Sequence, residues 1–381
     1  MAVSSARGLA SRGHHVTLLA GAGPDDRIEG NLQMIGVKSA AGTTLTKREE
    51  LSTLWNSKAR EVLQNLFQSG YHLVHIHSGI QRLGPACYQA VAKSGVPVIY
   101  THHDYAWICP MQGLFDYKMA SVCEVTPGSV ACLARNCVGA GNMDYKLYRF
   151  FRHFGTHRMS GLQKAHVTHL FVSNQSRDRL LPYLPKEAAT RVVENPIEVE
   201  QESPAEIKPE SGFVYVGRLT IEKNPISVAK ICEARGWPAT FVGDGPLKEK
   251  IAAINPRATM LGWIPRAEVQ SVIRLSRALV MPSLWYETQG MVALEAWAAG
   301  VPTVVSSSYA IAEDVVENGN GFVYKTGDDK QLQAKMASLE DVRLARRMGK
   351  FAYERFWDRP PTLDRHLNEL ELVYEEVAKA A

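Results

Sequence analysis

Two acids bracket a helix start: Glu287 stands just ahead of Gly290, and Glu295 lies about one and a half turns beyond it, at roughly 1.5 Å of rise per residue. The first turn of a helix offers unpaired amides and a partial positive charge, which suits phosphate. A carboxylate aimed at phosphate would repel it, so acids straddling such a site are better used on hydroxyls, from which they accept hydrogen bonds. The spacing therefore reads as a diphosphate on the helix near Gly290, a sugar towards Glu287 and a ribose towards Glu295. Two surface glutamates eight positions apart would look the same. Arg218 and Lys223 follow a strand ending at Gly217 and could face that phosphate, where charge on a departing diphosphate needs donors. A solvated loop with ordinary cations is the plain alternative. His77 and His102-His103-Asp104 sit after two further strands, where a parallel α/β sheet places its ligand groups.

The elements that position these residues alternate. Ala2 to Arg12 reads as the end of a helix closed by Gly13, and His14 to Ala20 as a strand. Helical spacing from Lys47 to Ser69 leads to a strand at Leu73–His77, a helix at about Leu83–Lys93 and a strand at Val96–Thr101. Periodicity fades over 105–142, which reads as a surface insertion. A strand at His169–Ser173 precedes the Glu-, Pro- and Ser-rich stretch 196–211, a linker by composition. Beyond it come strands at Phe213–Gly217, Ala239–Gly243, Met260–Trp263, 278–283 and Val301–Ser306, with helices between them. Asn224-Pro225 and Asp328 read as helix starts, and Gly236 and Gly300 as stops. This pattern predicts α/β architecture in two Rossmann-like domains, 1–195 and 212–360, facing a cleft. The last helix, within 361–381, is expected to cross back to the first domain.

Composition excludes several classes. A net charge of +4 gives no reason to expect a nucleic-acid partner, and no run of about 18 apolar residues is present to span a membrane. With no secretory h-region at the start, a cytoplasmic protein is expected. Cys109, Cys123, Cys132 and Cys137 cluster without the tight pairing of common zinc sites, and read as free thiols, a structural metal site or a redox-labile disulfide pair. Over 145–164, Leu147, Phe150, Phe151, Phe154 and Leu162 share one side of a helix, with Lys146, Arg149, Arg152, His153, Arg158 and Lys164 around the other. Such a helix is either a domain helix with its apolar face in the core or one resting on an anionic membrane surface.

Four segments taken in order resemble a known family: Gly217-Arg-Leu-Thr-Ile-Glu-Lys223, Val242-Gly-Asp-Gly-Pro246, Leu261-Gly-Trp-Ile-Pro265, and Glu287 through Glu295 with Ala299-Gly-Val-Pro302. As a set they are similar to the family 4 retaining glycosyltransferases of GT-B fold. Val74-His-Ile-His77, Thr101-His-His-Asp104 and Val172-Ser173 with Asn195-Pro196 extend the resemblance into the first half. The resemblance implies that the second domain binds a nucleotide-diphosphate sugar, and the first a glycan or lipid-linked acceptor of surface polysaccharide biosynthesis. It implies that Arg218 and Lys223 hold the diphosphate, Glu287 the transferred hexose and Glu295 the ribose. The amides around Gly290, Met291 and Val292 would complete the cradle, Ile264 would lie beside the nucleobase, and His103 would enter the sugar cleft. No cofactor or catalytic metal is implied, and the leaving phosphate itself would take the acceptor proton. A sugar-nucleotide epimerase of the same fold, or a binding protein without activity, are the competing expectations.

Two departures stand out. Gln289 occupies a position where the family usually has Phe, and so is expected to alter which donor sugar fits. The family also opens with a strand and a Gly-rich turn, whereas this sequence opens inside the helix that follows them. A start assigned too far downstream is the expected explanation, an impaired form the other.

Overall fold

The computed structural model describes residues 1–21, 26–37, 55–77, 80–138 and 143–380. A helix over Ala2–Ser11 leads into β1 (Val16–Ala20), which pairs in parallel with β3 (Leu32–Gly36); β2 (Arg27–Glu29) adds antiparallel to β3. The pairing of β2 with β3 was not legible as a strand pattern. A helix at Ser57–Phe67, capped by the Asn56 side chain, covers part of the expected Lys47–Ser69 segment. Of that segment, 47–54 lies outside the described residues.

A second sheet has the order β4-β5-β8-β9, all parallel: β4 (Val74–Ile76), β5 (Val98–His102), β8 (Val167–Phe171) and β9 (Thr190–Val192). Between β4 and β5 runs the helical segment Ile80–Lys93, broken at Gly84 (φ 72°) just before Pro85. Proline cannot donate an amide to the preceding turn and disfavours helical geometry in the residue before it, so the break falls there. β1 and β4 have no ladder partner on their outer sides among the described residues. A cavity of about 1240 Å³ opens between them, lined by Ala6, Leu9, Val16, Leu18, Leu73 and His75 among others.

The first part of the stretch after β5, expected as a surface insertion, is core, whereas 117–136 is largely half-buried or exposed. Tyr105, Trp107, Ile108 and Leu114 are buried with Tyr100 and Phe171 in the core of the first domain. A small hairpin, β6 (Phe115–Asp116) with β7 (Ser121–Val122), and a short helix at Val130–Ala134 follow. Residues 139–142 lie outside the described residues. The expected apolar face of the next helix, Met143–Ser160, is also revised. Lys146 is buried beside Phe150, whereas Phe151 is 63% exposed and Phe154 also faces outwards. The stretch 105–138 supplies a second wall that single-helix periodicity cannot anticipate.

The second domain carries one six-stranded parallel sheet in the order β12-β11-β10-β13-β14-β15. Its strands are β10 (Phe213–Val216), β11 (Ala239–Val242), β12 (Thr259–Gly262), β13 (Ala278–Met281), β14 (Thr303–Ser306) and β15 (Gly321–Tyr324). Helices cover both faces, so strands such as Ala278-Leu-Val-Met281 are apolar throughout, as in other parallel sheets. Chain order reverses between β10 and β13, and at such a switch point the loops beyond the strand ends diverge into a crevice. The carboxyl-terminal helix, Leu363–Lys379, returns to the first domain as expected. Leu370 and Val373 pack on Ile99, Leu170 and Val193, and Arg12 bonds Asp364 and Glu371.

Candidate active site

β10 ends at Gly217, and Arg218 to Lys223 form the loop above it, closed by a single 3-10 turn. Asn224 follows in the left-handed region (φ 53°); Pro225 opens the next helix as expected, but the Asn224 side chain does not cap it. Gly243, at the end of neighbouring β11, cannot carry a side chain: a Cβ there would stand 2.0 Å from the Gly217 carbonyl oxygen. The loop is tied to the one above β13 through Glu222, whose carbonyl accepts from Leu284 N (2.7 Å) and from Ser283 Oγ (3.0 Å). Its buried carboxylate accepts from Thr220 Oγ1 and pairs with Arg218 at 3.1 Å.

Lys223 and Glu287 meet across the switch point. Lys223 Nζ and Trp285 Nε1 both donate to Glu287 Oε1, and Ser283 Oγ lies 3.0 Å from the same oxygen. Oε2 takes none of these bonds and remains an acceptor for a hydroxyl. Both cations lie over the Trp285 ring, Lys223 Nζ at 5.2 Å and Arg218 Cζ at 5.7 Å. Arg218 keeps its side chain 60% exposed, whereas that of Lys223 is largely enclosed.

The strap 285–289 also reaches the first domain. Trp285 packs against Gly113, and Tyr286 lies under the Arg179 guanidinium at 3.3 Å from the ring centre. Thr288 Oγ1 donates to the His103 carbonyl (2.9 Å), which ties the strap to the end of β5. Gln289 is buried, and its side chain accepts from Asn195 Nδ2 (2.7 Å) and donates to the Asn195 carbonyl (3.3 Å). This amide joins the strap to Asn195 at the end of the first domain.

Gly290 (φ 119°) then turns the chain into the helix Met291–Ala298, and no side chain caps the entry. The first amide used inside the helix is that of Ala293, donated to the Gly290 carbonyl, so Met291 and Val292 open it with N–H groups available to an anion. Glu295, one turn on, is buried, and burial raises its pKa against the pull of Arg266. Arg266 reaches it at 2.8 Å from two residues after Ile264, which is half-buried against the same core. Arg218, Lys223 and Glu287 thus gather around Trp285, His103 joins the strap through its backbone at Thr288, and Glu295, Arg266 and Ile264 form a second group along the helix.

The spacing did not reveal that each acid carries an internal cation. One signal was available for Arg266: it opens the helix Arg266–Arg274, and a cation is unfavourable at that end unless a carboxylate holds it. Ser283 and Trp285, which load Glu287 Oε1, had no sequence signal.

In the first domain His103 Nε2 lies 3.1 Å from His77 Nδ1. Burial holds both rings neutral, lowering His77 to about 3 and His103 to about 4, with nearby positive groups adding to the effect. Cys109, Cys123, Cys132 and Cys137 are present as free thiols. All six cysteines are free, and among the described residues no group of three or more His, Cys, Asp and Glu is arranged to hold a metal ion. Instead the buried Lys146 ammonium stands 3.7 Å from Cys132 Sγ, and a cation at that place opposes a second one. Cys109 and Cys137 are pushed up by burial, as expected of protonated thiols.

Residues 1–201 match the family profile described as Glycosyltransferase Family 4, and residues 197–355 the profile described as Glycosyl transferases group 1. A sulfoquinovosyl transferase of Arabidopsis thaliana is 32% identical over 37% of this chain and 29% of its own length. A glycogen synthase of Mycobacterium tuberculosis is 29% identical over 44% of each chain. The chain therefore spans less than half the length of these curated relatives. Among solved structures, a sucrose-phosphate synthase from Thermosynechococcus elongatus superposes with a TM-score of 0.74 at 18% identity, over 99% of this chain and 92% of that one. An Anabaena protein, HepE, in complex with UDP and glucose gives 0.66 at 14% identity, over 98% and 94%. At these identities the likeness speaks for the fold.

Proposed function

Because this chain belongs to glycosyltransferase family 4 and folds as two Rossmann-like domains in the GT-B manner, we propose that it is a retaining glycosyltransferase. It moves a hexose from a nucleotide-diphosphate sugar to a glycan or glycolipid acceptor in surface polysaccharide biosynthesis. The observation that carries the reading is the convergence of Arg218, Lys223 and Glu287 with the uncapped helix at Gly290, at the switch point between β10 and β13. The bond from the sugar's anomeric carbon to the diphosphate breaks, and a bond to the acceptor hydroxyl oxygen forms on the same face. The acceptor proton passes to the leaving phosphate. Arg218, Lys223 and the amides of Met291 and Val292 meet the charge that develops there. Glu287, through its free oxygen, and His103 hold the hexose; Glu295 holds the ribose, and Ile264 flanks the nucleobase. The reading assigns no role to a metal or other cofactor.

The acceptor side belongs to the first domain. The helix Met143–Ser160 turns Phe151, Phe154 and Met159 outwards beside the exposed Arg158, which suits contact with the inner, cytoplasmic face of a membrane carrying a lipid-linked acceptor. Among the described residues no helix is long and apolar enough to cross a membrane.

The test is a panel of nucleotide-diphosphate hexoses offered with and without glycan and glycolipid acceptors, reading free nucleoside diphosphate. Release that depends on acceptor supports transfer. Conversion of the donor sugar without release indicates an epimerase. Absence of nucleotide binding by calorimetry would sink both.

A further inference from the structure

We propose that His77 is a positioning residue for His103: its Nδ1–H donates to His103 Nε2 and so fixes His103 as the tautomer that presents Nδ1–H to the ligand. The proposal rests on the reading that His103 meets the donor sugar, and adds what sets its proton.

Parallel pairing of β4 with β5 puts Ile76 opposite Tyr100, so both histidines emerge at the same sheet edge. Their rings stack at 5.4 Å between centroids and 18° between planes, with Nδ1 of one 3.1 Å from Nε2 of the other. His77 cannot turn away, because the His75 ring lies 3.9 Å from it on the same strand. His75 is itself fixed at both nitrogens, by Tyr374 OH (2.7 Å) and Thr101 Oγ1 (2.6 Å). Tyr374 belongs to the carboxyl-terminal helix, so that returning helix buttresses the stack. On the other side, the His103 backbone is held by Thr288.

Two neutral rings joined through one nitrogen each share a single proton, which leaves two arrangements. If His103 donated, its remaining nitrogen would turn a bare lone pair towards the donor oxygens that the proposed function places there. If His77 donates, His103 offers an N–H to those oxygens. Diphosphate oxygens can only accept, so the second arrangement suits the proposed donor better. Besides Asp104, next in sequence, the titratable or charged groups felt by the pair are His75 on β4, His366 on the carboxyl-terminal helix and the amino group of Met1.

Three substitutions and one spectroscopic signature decide the matter. In long-range ¹H–¹⁵N spectra of labelled protein at pH 7, His103 Nε2 should show the shift of an unprotonated ring nitrogen, whether or not the enzyme turns over. His77→Asn, whose amide N–H can stand where Nδ1–H stood, should rescue transfer. His77→Ala should lower kcat about tenfold, the equivalent of one hydrogen bond, with nucleoside diphosphate affinity unchanged. His77→Asp can only accept, so it should move the proton to His103 Nε2 and shift the acidic limb of the pH–rate profile upwards. A protonated Nε2 in the parent protein would overturn the proposal, as would equal rates in the Ala and Asn variants. If His103→Ala itself left transfer unaffected, the assignment of His103 to the sugar would fail, while the tautomer measurement would still decide the role of His77.

Discussion

Substitution of Gly290 by Ala tests both the fold and the site at one atom. At φ 119° an L-residue is strained, and the added Cβ would lie 2.7 Å from Ile311 Cγ2, 3.0 Å from Ile311 Cβ and 3.3 Å from Tyr309 Cδ1. Ile311 and Tyr309 are both buried, and Ile311 N is bonded to the Gln289 carbonyl at 2.9 Å, so neither can retreat freely. Backbone strain of about 1–3 kcal/mol and overpacking of a further 1–3 kcal/mol give a loss of about 2–6 kcal/mol. For a domain of this size, that lowers the Tm by roughly 4–24 °C. The strain can be relieved only by rotating the helix entry, which moves the Met291 and Val292 amides off the diphosphate. Calorimetric titration with nucleoside diphosphates should then show weaker binding below the new Tm. Gly236→Ala is the control: it is also left-handed (φ 69°), but its Cβ would meet nothing within 4 Å. It should cost about 1 kcal/mol and leave binding intact. An unshifted Tm, or full diphosphate affinity in Gly290→Ala, would refute the placement of the anion on this helix.

Three further outcomes are expected. Glu295→Ala should weaken binding of the nucleotide with or without its sugar, and Glu287→Ala only that of the sugar-bearing donor. Each loss should be about 1.5–3 kcal/mol by calorimetry, as for hydrogen bonds to a charged group, and equal losses for both ligands in both variants would contradict the division of roles. Lys223→Ala should reduce affinity for diphosphate about tenfold or more while leaving the nucleoside unaffected; unchanged diphosphate affinity would remove it from the site. Acid should weaken the first domain. Burial lowers His157 and His169 from 6.5 to about 4, so the unfolded chain binds protons that the fold refuses, and their full contribution holds only above about pH 6.5. At pH 5 each should have lost about 2 kcal/mol, measurable by denaturant titration. A His169→Phe variant with the same pH 7 to pH 5 difference as the parent would contradict this.

What was legible in the sequence follows the range of the forces involved. Asp328 caps its helix through Gln331 N, and Gly236 and Gly300 close theirs, because these signals act within a few residues. The apolar runs 213–216, 239–242 and 278–281 declared a parallel sheet buried on both faces. Lys146 and Phe151 deceived, since the stretch 105–138 decides which side of their helix is inside. The Gln289–Asn195 amide pair was invisible too: the partners are ninety-four residues apart, and neither type singles out the other. Arg266 stood in plain view at the wrong end of a helix, and only the fold showed which acid held it there.

The open rims of β1 and β4 carry a further consequence. Each offers a column of peptide donors and acceptors with no ladder partner on its outer side among the described residues, and the trough between them is lined by apolar and polar side chains together. Such rims are templates that any extended polypeptide can zip onto, including the same segment of a neighbouring molecule.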